Sequence, residues 1–156
     1  MSVENSSFLE SYLPYLLRQA DQMLSAPFYR VLADYDVGRS EWRVLAVLED
    51  LGQMTVLELA AAALSPQPTV THAVRRLEKR GLVTRSTDAD DKRRRMIAIT
   101  GSGTELTRTL IAQASNLEAD VLSEVGDMSE LATMLGQLTS RVEQSRANAE
   151  IDTKAG

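Results

Sequence analysis

Two prolines two residues apart, Pro66 and Pro68, stand between a short run of helical periodicity and a longer one, and they constrain this chain more than any other feature. Proline inside a helix removes a backbone donor and crowds the preceding turn. In the first turn, however, the amide groups have no internal acceptor and the fixed φ of the ring suits the start. Two prolines here therefore begin a helix. Ser65 precedes them as a cap, Val70, Val74 and Leu77 form an inward stripe, and Gly81 after Lys79 and Arg80 is placed for a left-handed C-terminal cap. The spacing predicts a helix over about 66–80. Upstream, Thr55 and Glu58 have the T-x-x-E spacing of a capping box and open a short helix to about Ala63. Before that, Ser40 is expected to cap a helix from Glu41 to Leu51, with Trp42, Leu45, Ala46, Leu48 and Glu49 divided between a buried and a wet face and Gly52 ending it.

After Gly81 the period changes from that of a helix to that of a strand. Residues 82–87 and 95–100 read as two strands, Ile97 and Ile99 alternating inward, around a charged turn over 88–94. The flanks are helical. From Phe8 to about Tyr35 apolar residues recur at three- and four-residue intervals, with Pro14 acceptable in a first turn and Pro27 expected to kink the helix or to mark a boundary near Ser25. Thr100 can cap a helix running to about Val125, Gly126 separates it from the next, and Leu131, Met134, Leu135, Leu138 and Val142 give a last amphipathic helix. The expected fold is mainly α with a small β-hairpin, an α+β arrangement in one domain over 8–146. A core at about 40–100 is flanked by helical arms at 8–36 and 101–146, and the polar tail over 147–156 is expected to fray.

Composition removes several function classes. There is no cysteine, hence no disulfide, thiolate metal site or thiol nucleophile, and a single histidine leaves few routes to a transition metal; neither metal nor cofactor is expected. No run of about 18 apolar residues occurs and the N-terminus lacks the form of a signal peptide, so a cytoplasmic protein without a membrane partner is expected. The net charge of −5 conceals an asymmetry: the stretch from Arg75 to Arg95 carries +5 and the remainder −10. A compact basic patch on an acidic body suits local contact with phosphates, the alternative being a solvated helix face. Asp88, Asp90 and Asp91 do not make a cation site, because Lys92, Arg93, Arg94 and Arg95 beside them would repel the metal, and no enzyme is expected.

Two short helices joined by a tight turn, followed directly by a hairpin with a basic tip, are the order of a winged helix-turn-helix. In that motif the second helix enters the major groove of double-stranded DNA with its N-terminal residues at the base edges. Here these are Gln67, Pro68, Thr69, Thr71, His72 and Arg75. Gln67 suits adenine, Thr69 and Thr71 suit bases or phosphates, Arg75 suits guanine or a phosphate, and Pro68 can only pack. His72 contacts DNA or is a plain surface residue.

The T-V-T before a helix ending R-L-E-K-R-G-L-V (Thr69 to Val83), the D-x-x-D-x-R of the hairpin (Asp88, Asp91, Arg93) and the T-x-x-G after it (Thr100, Gly103) resemble the MarR family of bacterial regulators over most of the chain. The resemblance implies a homodimer whose first and last helices interlock, a recognition helix in each half-site of an inverted repeat, and a wing arginine, Arg93, in the minor groove. Independently, a guanidinium fits that narrow electronegative groove, and Asp91 two residues earlier could brace it, leaving Lys92, Arg94 and Arg95 for phosphates. The family also implies a small, often aromatic effector, for which Tyr12, Tyr15, Phe28 and Trp42 could line a pocket; core packing is the other reading of these rings. The function expected is that of a sequence-specific transcriptional repressor released by an effector. A nonspecific or architectural DNA-binding protein and a protein-interaction winged helix are the rival readings.

Overall fold

The computed structural model describes residues 7–87 and 94–155, with side chains through residue 148. Its elements are α1 (Phe8–Ser11), α2 (Leu13–Asp34), α3 (Arg39–Leu51), β1 (Met54–Thr55), α4 (Val56–Ala62), α5 (Gln67–Lys79), β2 (Val83–Thr87), β3 (Arg95–Ile99), α6 (Gly101–Val125) and α7 (Ser129–Ala155). Among the described residues no helix is long and apolar enough to cross a membrane.

The hairpin is joined by a strand that residue periodicity does not reveal. β1 pairs antiparallel with β3 through Met54↔Ile97 and Thr55↔Met96, giving the order β1-β3-β2. At two residues it is too short to show an alternation. Around this sheet α3, α4 and α5 close a core whose fully buried members include Val44, Leu45, Leu59, Val74, Leu77 and Ile97. A second cluster, Phe28, Leu32, Val37 and Leu110, joins α2 to α6, with Trp42 of α3 packed against it.

Helix ends follow local chemistry closely. Thr55 accepts from the Glu58 amide at 3.3 Å while Glu58 Oε2 accepts from the Thr55 amide at 2.8 Å, the reciprocal box read from the sequence. α5 ends in a left-handed Gly81, φ 69°, whose N–H donates to Glu78 O while Leu82 N–H donates to Leu77 O at 3.0 Å, a Schellman closure. The same pattern ends α4 with Leu64 in the left-handed position, φ 50°, although Leu64 is 88% exposed. The T-x-x-G after β3 has a mechanical reason. Thr100 Oγ1 accepts the Gly103 amide at 3.1 Å and donates to Gly81 O at 2.7 Å, and a β-carbon on Gly103 would stand 2.1 Å from Leu82 O. Only a glycine lets α6 start this close to the α5–β2 turn.

Several expectations are corrected. α3 is capped by Gly38, whose N–H donates 2.6 Å to Glu41, so the helix starts at Arg39 and Ser40 lies inside it. The N-cap of α5 is Pro66; Ser65 Oγ instead donates to Ala63 O at 3.1 Å. Pro14 stands in the first turn of α2 as read, with the break from α1 at Tyr12, whereas Pro27 sits within α2, so of its two expected effects the boundary near Ser25 is not found. The carbonyl that loses its donor there belongs to Met23, which is 73% exposed and open to water. α7 continues to Ala155, beyond the Arg146 at which fraying is expected.

The chain divides into two compact units, one through Glu118 and one from Ala119. The second holds the end of α6 and α7. Asp127 accepts the Ser129 amide at 2.9 Å at the head of α7, and this bond holds the Asp127 carboxyl below its usual range. None of the described side chains of α7 is buried.

Candidate nucleic-acid interface

α5 is a two-faced helix. Val70, Ala73, Val74 and Leu77 are buried at 2% exposure or less, and this pins the opposite face outward. Gln67, Thr71 and Arg75, spaced four apart, form one outward stripe with His72 beside it. Together with Pro68 they line one shallow depression of about 360 Å³. Five of the six residues expected to read DNA are thus brought together. Thr69 lies around the helix and shares a second depression, about 470 Å³, with Gly38, Arg39, Glu41, His72 and Arg76.

That second depression holds a group that sequence reasoning missed. Glu41 of α3 is 2% exposed, and Arg76 Nε lies 3.0 Å from its Oε1 without directing the N–H at it, so the contact is an ion pair rather than a formed hydrogen bond. The pair ties the start of α3 to the later half of α5 across 35 residues of sequence, a distance at which no local pattern signals it. Arg80, at the end of α5, donates to the backbone carbonyls of Tyr35 and Asp36, where α2 ends. α5 is held by carboxylate and carbonyl contacts on two neighbours.

The basic stretch is less positive in the fold than in the sequence. Arg76 pairs with Glu41, Arg85 with Glu78 at 3.0 Å, and Arg94 with Glu58 at 2.8 Å. Asp91, Lys92 and Arg93 lie outside the described residues. Arg94 is directed at Glu58 of α4, and Arg95 Nη1 donates to Thr87 Oγ1 at 3.0 Å across the hairpin. The Glu58 carboxyl is held below its usual range, first by the Thr55 amide and then by the Thr55 hydroxyl and Arg94. On α3, Glu49 is lowered in the same direction by Arg108, 2.8 Å away, and by the Thr104 hydroxyl.

The four aromatic residues of the expected effector pocket do not converge within one chain. Phe28 and Trp42 meet edge to face at 4.9 Å in the second core cluster. Tyr12 stacks on Phe8 at 4.7 Å, and Tyr15 is exposed on the N-terminal part of α2. At about 1.5 Å rise per residue, Tyr15 and Phe28 are roughly 20 Å apart along the helix. The larger groove in this region, about 620 Å³, is lined by Arg18, Asp21, Tyr29, Arg39 and Arg43 among others, with the Arg39 guanidinium 3.9 Å above the Tyr29 ring.

Comparison with known proteins agrees with this geometry. A profile of the MarR family matches residues 38–94. The HTH-type transcriptional regulator FarR of Neisseria gonorrhoeae is 30% identical over 109 residues, 70% of this chain and 74% of its own length. A MarR family transcriptional regulator of Silicibacter pomeroyi superposes with a TM-score of 0.76 at 33% identity, covering 87% of this chain and 98% of that one. BpsR of Bordetella bronchiseptica, whose DNA binding is regulated by 6-hydroxynicotinic acid, has a TM-score of 0.70 over 85% of this chain and 94% of its own, and at 23% identity it is a likeness of fold alone.

Proposed function

The chain belongs to the MarR family of transcriptional regulators, and from that premise we propose that it is a homodimeric, sequence-specific repressor whose hold on an inverted-repeat operator is released by a small molecule. One observation carries the DNA-binding part: the outward stripe Gln67, Thr71 and Arg75 on a helix whose other face is fully buried. An amide, a hydroxyl and a guanidinium in line are the groups that read base edges in a major groove. Non-reading phosphate contacts come from cations outside the ion pairs of Arg76, Arg85 and Arg94, and Arg93 reaches the minor groove.

Dimerisation is supported by apolar side chains left in water. Phe8, Leu9, Leu13 and Leu16 are 37–67% exposed at the N-terminus, and Leu131, Met134, Leu138 and Val142 are 36–59% exposed on α7. A second copy covering them removes that surface from water. Two-fold symmetry then sets two recognition helices about 34 Å apart, one turn of DNA. An effector acts by favouring a spacing that no longer fits the groove. The arginine-lined groove between α2 and α3 suits an anionic aromatic molecule, chemistry in keeping with the 6-hydroxynicotinic acid that regulates BpsR. This role is that of a binding protein, not an enzyme, acting in the cytoplasm where its DNA is.

The test is binding of the full chain to its own upstream intergenic DNA and to a scrambled duplex over a salt series. Saturable, salt-sensitive binding by a dimer, stronger on the upstream duplex and weakened by Arg93→Ala, is expected. Equal binding to both duplexes favours the architectural reading, and no binding at low salt favours the protein-interaction reading.

A further inference from the structure

Glu58 is an acid on the face that the proposed function turns toward DNA. By charge alone it should weaken the complex. Its carboxylate is, however, fully engaged before any DNA arrives: Oε2 accepts the Thr55 amide and the Thr55 hydroxyl, both at 2.8 Å, and Oε1 accepts Arg94 Nη2 at 2.8 Å. The capping box fixes the carboxylate first, because Thr55 is three residues away and Arg94 is 36. Arg94 then meets an acceptor already in place, so little further freedom is lost in forming the pair.

The pair sits at the weakest seam of the sheet. β1 and β3 are joined by two residue pairs, Met54↔Ile97 and Thr55↔Met96, whereas β2 and β3 are joined by five. Arg94 stands one residue before β3, so its bond to Glu58 prolongs the β1–β3 contact past Met96 by a side-chain link. On the same stem Arg95 of β3 donates across to Thr87 of β2, its opposite partner, at 3.0 Å. The β3 end of the hairpin is thus tied on both sides, across to β2 through Arg95 and to the first helix of the helix-turn-helix through Arg94.

We propose that Glu58 and Arg94 are an anchor for the root of the wing: Arg94 is a positioning residue and not a phosphate contact, and Glu58 strengthens specific binding in spite of its charge. This rests on the DNA-binding reading above. The two roles differ in sign. A phosphate-contacting arginine adds a counterion to the salt dependence, and a bystander acid lowers affinity for any duplex.

The experiment measures binding of the full-length chain to its upstream DNA and to a scrambled duplex at several salt concentrations, for the wild type, Glu58→Gln, Arg94→Gln and the double variant. Gln at 58 keeps an oxygen for the Thr55 amide, and thermal unfolding of each variant reports that the fold is intact. The expected result is that each single variant weakens upstream binding by roughly three- to fivefold, the scale of one exposed ion pair, and that the double variant is no weaker than either single. The slope of log affinity against log salt is expected to stay at the wild-type value. A slope reduced by about 0.9 in Arg94→Gln, the signature of one lost phosphate contact, overturns the anchor, as does tighter binding of Glu58→Gln to both duplexes. A wild type that prefers neither duplex defeats the sequence-specific reading while the slope still decides the anchor, and a chain that binds no DNA overturns both.

Discussion

α5 and α7 are both helices with a regular apolar stripe, and they stand in opposite surroundings. In α5 four of 13 residues are fully or nearly fully buried by the chain's own α3, α4 and sheet. α7 has 27 residues and not one buried side chain among those described, although Leu131, Met134, Leu138 and Val142 recur at three- and four-residue spacing. The contrast separates two kinds of amphipathic helix that look alike in sequence. One is completed by its own chain, which leaves its polar face outward. The other leaves its apolar side chains exposed, the face that the proposed dimer would cover.

Substitutions sharpen the contrast. The largest effect is expected at Leu77, fully buried on α5: Leu77→Ala should cost about 2–5 kcal/mol of unfolding free energy, read by urea titration. Leu138→Ala on α7, a residue 36% exposed, should cost the isolated chain about 0.5 kcal/mol or less and instead raise the concentration at which the protein self-associates, measured by sedimentation. Equal losses at the two positions in dilute monomer would erase the distinction. On the polar face of α5, Arg75→Ala should remove about 1–3 kcal/mol of binding to the upstream duplex with little change in unfolding. A change in unfolding as large as that in binding would make Arg75 a packing residue.

A smaller effect tests the turn that feeds α5. Leu64 holds a left-handed backbone with its side chain almost wholly in water, so Leu64→Gly relieves the steric penalty and gives back part of it as unfolded-chain entropy. A net gain of about 0.5 kcal/mol is expected, and a loss would mean that the side chain has a partner in the assembled protein. The smallest effect is that of acid. Glu49, Glu58 and Asp127 all have carboxyls held below the ordinary range, by Arg108, Thr55 and Ser129 respectively. The unfolded chain therefore binds protons first as pH falls, and the stability these groups contribute is present at neutral pH and lost below about pH 4. Glu58 and Asp127 are exposed and Glu49 is only partly buried, so the thermal midpoint should be flat between pH 7 and about pH 5.5 and decline only in stronger acid. A decline already above about pH 5.5 would assign the titration to other groups.

The sequence was most legible where a cause is local. The Thr55–Glu58 box, the left-handed Gly81 and the cap at Thr100 each depend on residues within three or four positions, and each is found as read. The outward stripe of α5 was legible for the same reason, since burial of Val70, Val74 and Leu77 dictates it. What escaped is non-local or ambiguous in kind. β1 is too short for a period, and Gly38 competed with Ser40 for a cap that was decided by the reach of Glu41. The partners of Arg76 and Arg94 lie 35 and 36 residues away, so both read as free cations until the fold placed a carboxylate against each. Of the two readings given for the four aromatic residues, core packing is what Phe28 and Trp42 show, and which ring would find which partner was not visible in their type alone.

The close approach at Gly103 has a consequence for how this sequence can vary. At Gly101, two residues earlier, nothing lies within 4 Å of the point a β-carbon would take, whereas the corresponding point on Gly103 is occupied by Leu82 O and Ile99 Cγ1. In a library saturated at both codons and selected for folded protein, position 101 should tolerate many replacements and position 103 should return glycine alone. One codon would record drift, and the other, six bases away, would hold still.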